Sequence, residues 1–388
     1  MRYGKDLSFL HFSPTKVVFG ARSLAELPSE IDDLGRSRAL VVTDEVLAAR
    51  TDLVDRVKRA LGRRFAGVYA SVTPDSGVAI VDAGARLAKE VSADVVVSIG
   101  GGSSIDTAKG IAIVHAFGGS LRDHQGFQGM SAPTTPHIAI PTTAGTGSEV
   151  TKVAVIKDEA ASQKLLFGDF HLYPRVAILD PELTVGMPAA ITAGTGLDAL
   201  THAVEALHAM QAEPIADALA LHAIRLLVAH LPRVIQDPSD LVARGQMLLA
   251  ATIAGIAFDN AQVGLVHAIA HTVGARHHVH HGTANAIALP HVMRFNADVT
   301  AEAYREAGAA MGVDTKALGD EAAVDLVARA IERLVADVGL PTRYRDVGVP
   351  ESDLEALAEA SLSDGAIVYN PKPVTDAAEV LGVLRAAY

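Results

Sequence analysis

The sequence predicts an α/β domain with a parallel sheet over residues 1–184, followed by an all-helical domain over 185–388. Three observations carry this. Short apolar runs alternate with helical patterns as far as Pro181, and strand–helix–strand alternation at that pace builds parallel sheets. From about residue 188 the apolar period becomes 3.6, with no convincing strand. At about 150 residues per domain, 388 residues also suggest two.

In chain order, ALVVT (39–43), FAGVYA (65–70) and DVVVSIG (94–100) are strands, and residues 51–61 and 78–91 between them space apolar side chains as helices do. HIAIPTT (137–143), KVAVIK (152–157) and VAILD (176–180) add further strands, and their apolar runs suit strands covered on both faces. In the second half, ALALHAIRLLVAHLPRVI (218–235) and EAAVDLVARAIERLVADV (321–338) are helices, separated by breakers at Asp237-Pro238 and Gly339-Leu340-Pro341.

Composition narrows the function. Lys plus Arg number 33 against 45 Asp plus Glu, a formal net charge of −12. Binding to nucleic acid or to an anionic membrane needs clustered cations, so neither is expected. Cysteine is absent, which excludes disulfides, thiol catalysis and thiolate metal sites and leaves His and carboxylate as metal ligands. The N-terminal MRYGKDLSFLHF lacks the apolar core of a secretion signal, and no apolar run of 18 residues is expected to span a membrane. The expected compartment is the cytoplasm.

Two loops carry the signature of an anion site. SIGGGSSIDTAKG (98–110) follows a strand and opens a helix; its glycines admit a close backbone approach, and Ser103 and Ser104 are placed to cap the helix. Amide groups at such a helix start face a phosphate or pyrophosphate. It is neither G-x-G-x-x-G, since Ile105 stands where the third glycine would be, nor a P-loop. PTTAGTGSEV (141–150) is a second small, hydroxyl-rich loop after a strand, where ligands of parallel sheets bind. Asp44 closes the first strand. It serves either as a helix cap or as an acceptor for ribose hydroxyls that repels a 2′-phosphate.

The sixteen histidines concentrate in the helical half. Asp198 and His202 are i, i+4, and so are His267 and His271; His281 ends the run HHVHHG. A carboxylate with neutral imidazoles suits a borderline divalent ion such as Fe²⁺ or Zn²⁺, although spacing does not say which histidines bind. Glu205 shares the face of His202 as a supporting or surface acid, and His208, His222, His230 and His291 are assigned to structure or surface.

These segments, in order, resemble the iron-dependent (group III) alcohol dehydrogenase family: FSPTKVVFG (12–20), GGGSSIDTAKG, PTTAGTGSEV, LDALTHAVEA, GLVHAIAH, HHGTANAIALPHVMRFN (280–296) and NPK (370–372). The resemblance implies a dehydroquinate synthase-like two-domain fold, NAD(P) on the α/β domain, a divalent metal on the helical domain and a site between them. It places the metal ligands at Asp198, His202, His267 and His281, and a proton-shuttling histidine at His271. Cofactor contacts fall on Asp44, Gly101, Gly102, Ser103, Asp106, Thr142, Thr143, Ser148, Lys164 and Leu183, with NAD favoured over NADP. Phe258 matches a substrate-pocket aromatic. The chain departs from the family at Arg276, Asp259, His280 and Lys372.

The implied reaction is reversible oxidation of a small alcohol to an aldehyde or ketone, by a homodimer or larger homo-oligomer. Arg276, His277, His278 and His280 suggest a cationic pocket mouth suited to an acidic substrate, against the alternative of a solvated loop. The competing readings are a dehydroquinate synthase-like lyase or cyclase and a non-catalytic NAD- or metal-binding protein.

Overall fold

The computed structural model describes residues 3–4, 7–74, 76–158 and 163–388. The chain divides into two compact units. One holds Ser13–Thr143 and Gly147–Gly186; the other holds Met187–Tyr388, joined by Ala144–Thr146 and the stretch up to Phe12. Where the sequence suggested one cut after residue 184, the N-terminal segment belongs with the helices. Its attachments explain why: Tyr3 bonds Asp217, His11 lies 2.8 Å from Glu213, and Asn260 Oδ1 accepts the Phe12 amide at 2.8 Å.

The α/β unit contains β1 (Lys16–Phe19), α1 (Leu27–Asp33), β2 (Ala39–Asp44), α2 (Glu45–Arg50), α3 (Leu53–Leu61), β3 (Phe65–Val72), α4 (Val78–Glu90), β4 (Val95–Gly100), α5 (Gly102–Phe117), β5 (Gly126–Phe127), β6 (His137–Pro141), β7 (Val153–Asp158), β8 (Gln163–Gly168) and β9 (Val176–Leu179). Among the described residues, one parallel sheet has the order β1-β9-β6-β4-β2-β3. Leu40, Val42 and Val96 pack on one face with α4 and α5 residues Val81, Ala85, Ala108 and Ile111. Val41, Val95, Val97 and Ile99 pack on the other with α1 and α3 residues Leu27, Ile31, Val57 and Leu61. The chain leaves β2 toward one edge and one face, and leaves β4 toward the opposite ones. Such a reversal opens a crevice at the carboxyl ends of those two strands.

KVAVIK is a strand but not of this sheet. β7 pairs antiparallel with β8 in a smaller sheet of order β5-β8-β7. Its burial alternates along the strand, as in a strand with one covered face, instead of staying continuous as in β4. β1, half-exposed at the sheet edge, carried too little apolar pattern to be predicted from its sequence alone.

The helical unit contains α6 (Ala189–His208), α7 (Pro214–Gln236), α8 (Leu241–Ala261), α9 (Leu265–His277), α10 (His281–Phe295), α11 (Ala297–Ala310), α12 (Asp320–Asp337), α13 (Leu354–Ser361) and α14 (Ala377–Ala386). α6 is its axis, buried continuously from Thr192 to His208. On α7, Ala216, Ala220, Ala223, Leu227, Leu231 and Val234 form an i, i+3/i+4 stripe in the core. The absence of any long apolar run expected from the sequence needs correction. By length and composition α7 and α8 could cross a membrane, with mean hydropathies of 1.5 and 1.6, and 33% and 61% of their apolar windows are buried within the protein. Both are rich in alanine, which raises hydropathy and lets core helices pack closely.

One buried group of the sheet makes stability pH-dependent. His137 on β6 places Nε2 2.8 Å from Ser98 Oγ and leaves Nδ1 without a partner. Burial, with Lys109 adding repulsion, pushes the imidazole down to about 3. The unfolded chain takes up this proton near pH 6.5 and the folded chain only near 3. The contribution to stability is therefore complete above 6.5 and is lost as the pH falls from 6.5 toward 3. His137→Gln is expected to flatten the dependence of unfolding free energy on pH between about 6.5 and 4.5 by up to about 1.4 kcal/mol per pH unit, measured by urea unfolding. An unchanged slope would show that His137 does not carry it.

Candidate functional site

Three helices of the helical unit each present a pair spaced i, i+4 to one point: Asp198 and His202 from α6, His267 and His271 from α9, His281 and Asn285 from α10. Their convergence depends on a close crossing of α6 and α10. A methyl on Gly282 would lie 2.0 Å from the Gly194 carbonyl oxygen and 3.1 Å from Asp198 Cβ, so no larger residue fits there. The crossing sets His281, the first residue of α10, beside Asp198.

Asp198, His267 and His281 each offer one ligand atom, all within 4.8 Å of one another. Asp198 Oδ1 lies 4.0 Å from His267 Nε2 and 3.5 Å from His281 Nε2. His202 stands beside this trio. Its ring stacks on His267 at 4.7 Å and on Phe258 at 4.2 Å between centroids, and its buried Nδ1 has no hydrogen-bond partner. His271 stacks on His281 at 5.3 Å. The predicted ligands, the predicted shuttle and the predicted aromatic thus form one cluster.

The donor chemistry fits a cation. Asn285 Nδ2 lies 2.8 Å from Asp198 Oδ1, 3.3 Å from His267 Nε2 and 3.2 Å from His281 Nε2, so three acceptors converge on an amide with two hydrogens. Its own Oδ1 is buried without a partner. Burial opposes a charge on Asp198, but the His202, His281 and His267 imidazoles and Asn285 outweigh it and hold the carboxyl at about 2. Burial likewise drives His202 and His267 down to about 4 and His281 well below its ordinary value, against the pull of Asp198. At neutral pH the set is one carboxylate with neutral imidazoles, the protonation a divalent ion requires.

Further groups hold the cluster. Glu205, fully buried one turn beyond His202, bonds His267 Nδ1 and accepts the Val266 amide at 2.9 Å. His271 Nδ1 lies 2.9 Å from Asp364 Oδ2. Sequence reasoning missed Asn285, although its i, i+4 relation to His281 is the same signal that marked the other helices. Asp364, 93 positions from His271, has no local signal.

In the α/β unit the glycine turn is built for close approach. Gly100 has φ +149°, and a methyl there would meet Ser104 Oγ at 2.4 Å. The expected serine cap is not formed: Gly101 is the N-cap of α5, no side chain caps the helix, and Ser104 turns into the core. The first amides of α5 thus lack a side-chain acceptor, and Ser103 is exposed at the turn. Asp44 is a helix cap. Oδ1 caps α2 by accepting the Leu47 amide at 2.8 Å, while Oδ2 lies 3.6 Å from where a Gly100 methyl would be. Thr142 donates its amide to the Gly100 carbonyl at 3.0 Å, and Thr143 borders Gly101. Asp106 accepts from Ser148 Oγ and from the Val155 amide, and burial raises its carboxyl despite nearby Lys109. Lys109, overlooked in the sequence, is buried and ties the two loops by donating to Ser148 Oγ at 3.0 Å and to the Val153 carbonyl at 2.7 Å. Lys164 is exposed on β8, and Leu183 belongs to the sheet core.

Of the basic run read as a cationic mouth, Arg276 and His277 face one carboxylate. Arg276 Nε donates to Asp353 Oδ2 at 2.8 Å, so that carboxylate offsets the guanidinium charge, and His277 Nε2 lies 3.2 Å from the same oxygen. His278 ends α9 in the left-handed region (φ +56°), and His280 packs against Gly194.

Residues 14–181 match the iron-containing alcohol dehydrogenase family, and residues 192–388 match the C-terminal part of the Fe-containing alcohol dehydrogenase family. The chain is 39% identical over 376 residues to the NAD-dependent methanol dehydrogenase of Bacillus methanolicus, covering 95% of this chain and 98% of that one. It is similar in structure to a 1,3-propanediol oxidoreductase, with TM-score 0.95 and 36% identity over 98% of this chain and 100% of the other. It is also similar to the sulfoacetaldehyde reductase of Bifidobacterium kashiwanohense in complex with NAD⁺, with TM-score 0.89 and 29% identity over 98% and 99%. The cyclase and non-catalytic readings are not favoured. The chain belongs to the iron-containing alcohol dehydrogenase family and is an oxidoreductase of that class.

Proposed function

We propose that the ion is held by Asp198, His202, His267 and His281, that NAD lies on the glycine turn of the α/β unit, and that the substrate is a small alcohol or aldehyde. One observation carries the reading: three lone-pair atoms from three helices converge on a single amide, with the His202 ring stacked against His267. When bound, the ion supplies Lewis acidity and NAD supplies the two-electron acceptor.

The residues do the rest. Asp198 provides the one negative charge of the ligand set; the imidazoles are neutral and add none. Phe258 covers His202 and presents an apolar wall that suits a small carbon chain. His271, oriented by Asp364 through Nδ1, keeps Nε2 for taking up and releasing the proton that the alcohol loses. In the α/β unit, the amides of Gly102 and Ser103 are placed for the pyrophosphate, with Gly101 giving room. Asp44 offers an oxygen to a ribose hydroxyl and repels a 2′-phosphate, which favours NAD over NADP. Thr142, Thr143, Ser148 and Lys164 surround the turn, Asp106 braces it, and Leu183 gives it an apolar floor.

The pairing of Arg276 with Asp353 favours a neutral substrate over an acidic one. The reading extends to a cytoplasmic homodimer or larger homo-oligomer without nucleic-acid or membrane partners, supported by the acidic charge, the lack of cysteine and exposed apolar residues such as Val17 and Phe19 on edge strand β1.

His267→Ala is expected to abolish metal content and alcohol oxidation together; full turnover by metal-free His267→Ala protein would refute the ligand assignment. For Asp44→Gly, the ratio of kcat/KM with NAD to that with NADP is expected to fall at least tenfold, about 1.4 kcal/mol. An unaltered ratio would remove Asp44 from cofactor choice. His271→Ala is expected to slow turnover by about 10²-fold or more and to change the pH profile of kcat. A profile of the parent's shape would exclude a proton relay through this ring.

A further inference from the structure

We propose that Glu205 is the positioning residue of the metal centre: its buried carboxylate holds His267 in the tautomer and orientation that present a bare Nε2 to the ion, and thereby sets how tightly the ion is retained. The inference rests on the reading of Asp198, His202, His267 and His281 as ligands.

In sequence Glu205 reads as either a supporting or a surface acid, two turns after Asp198 on the same face of α6. In the fold it is fully buried. An ionised carboxylate in such a place costs several kcal/mol unless it is paired and hydrogen-bonded. Its ion-pair partners are imidazoles: His267 Nδ1 in a short contact, and His208 Nε2 at 4.0 Å. A neutral imidazole has one N–H. Donated from Nδ1 to Glu205, it leaves Nε2 as a lone pair, and Nε2 is the atom that meets Asp198 and Asn285. A ring that donates to an anion is also a stronger base and a stronger donor to a cation.

The second oxygen of Glu205 accepts the Val266 amide at 2.9 Å, at the start of α9. One carboxylate therefore fixes both the entry of α9 and the ring of its first ligand. Among the described residues the other rings have no equivalent. His202 Nδ1 has no hydrogen-bond partner, and the partner of His271, Asp364, is partly open to solvent. A merely structural role predicts a different outcome. The glutamine of a Glu205→Gln variant would have the same shape and could still accept the Val266 amide, so the helix entry would survive. Its NH₂ group, set against Nδ1, would instead favour the tautomer that points a hydrogen from Nε2 at the ion.

The test uses apo-protein under anaerobic conditions with Co²⁺ as the probe, in competition with a chelator. Glu205→Gln is expected to bind Co²⁺ about 10- to 100-fold more weakly than the parent and to shift its visible ligand-field spectrum, with circular dichroism unchanged. Equal affinity and an identical spectrum would overturn the proposal. A second measurement needs no variant: nitrogen-15 labelling of histidine in the parent apo-protein reads the His267 tautomer. Protonated Nδ1 with bare Nε2 supports the proposal, and the opposite tautomer overturns it, whether or not Glu205→Gln folds. A parent chain that takes up no Co²⁺ would overturn the ligand reading, and the inference with it. A parent that binds Co²⁺ no better than Glu205→Gln would overturn the role of Glu205 alone.

Discussion

The contact between Gly194 and Gly282 is the constraint on which the helical half depends. Backbone meets backbone there with no side chain between, and the two helices that carry Asp198 and His281 come close enough to share a ligand set. A bulkier residue at position 282 would push α10 away from the α6 backbone, and the donors the two helices carry would then be too far apart to act as one group. α9 enters the same point, clamped by Glu205 at its first turn. Packing and chemistry are not separable in this unit, because the small residues that let the helices approach are also what aims their polar side chains.

The same economy governs buried charge. The core around α6 is made largely of alanine, leucine and valine, yet it contains Asp198, Glu205, His202, His208, His267 and Asn285. An interior tolerates such groups only when they satisfy one another or await a ligand. Some do satisfy one another: His208 with Tyr304 at 3.0 Å, Asn296 with Asn370 at 2.9 Å, Glu205 with His267. Others are left short: three acceptors share the one Asn285 amide, and Nδ1 of His202 has no hydrogen-bond partner. The electrostatics of the site follows from which buried atoms are left without protein partners.

The α/β unit solves a different problem by leaving something open. Its crevice lies where β2 and β4 send the chain to opposite faces. The turn after β4 is uncapped, so helix amides are available to an anion, while Ser104, Lys109, Ser148 and Asp106 lock the turn from beneath. Asp44 bridges both tasks, one oxygen structural and the other toward the turn. The turn thus combines rigidity below with helix amides above that no side chain caps.

The sequence by itself determined what depends on near neighbours. Period 2 and period 3.6 patterns separated the α/β half from the helical half, and glycine spacing marked the turn after β4. The i, i+4 pairs Asp198/His202 and His267/His271 placed ligand types on single helix faces, because helix geometry alone puts those side chains together. Only the tertiary structure decided which elements meet. KVAVIK went to a separate antiparallel sheet because pairing is chosen by a distant strand, and the N-terminal segment joined the helices through Asp217, Glu213 and Asn260, more than 200 residues away. The assignment of Glu205 to His267, Asp364 to His271 and Asp353 to Arg276 likewise depended on contacts spanning 62, 93 and 77 positions. A carboxylate has the same local sequence signal whether it faces water or a ligand's ring, and only its burial distinguishes the two.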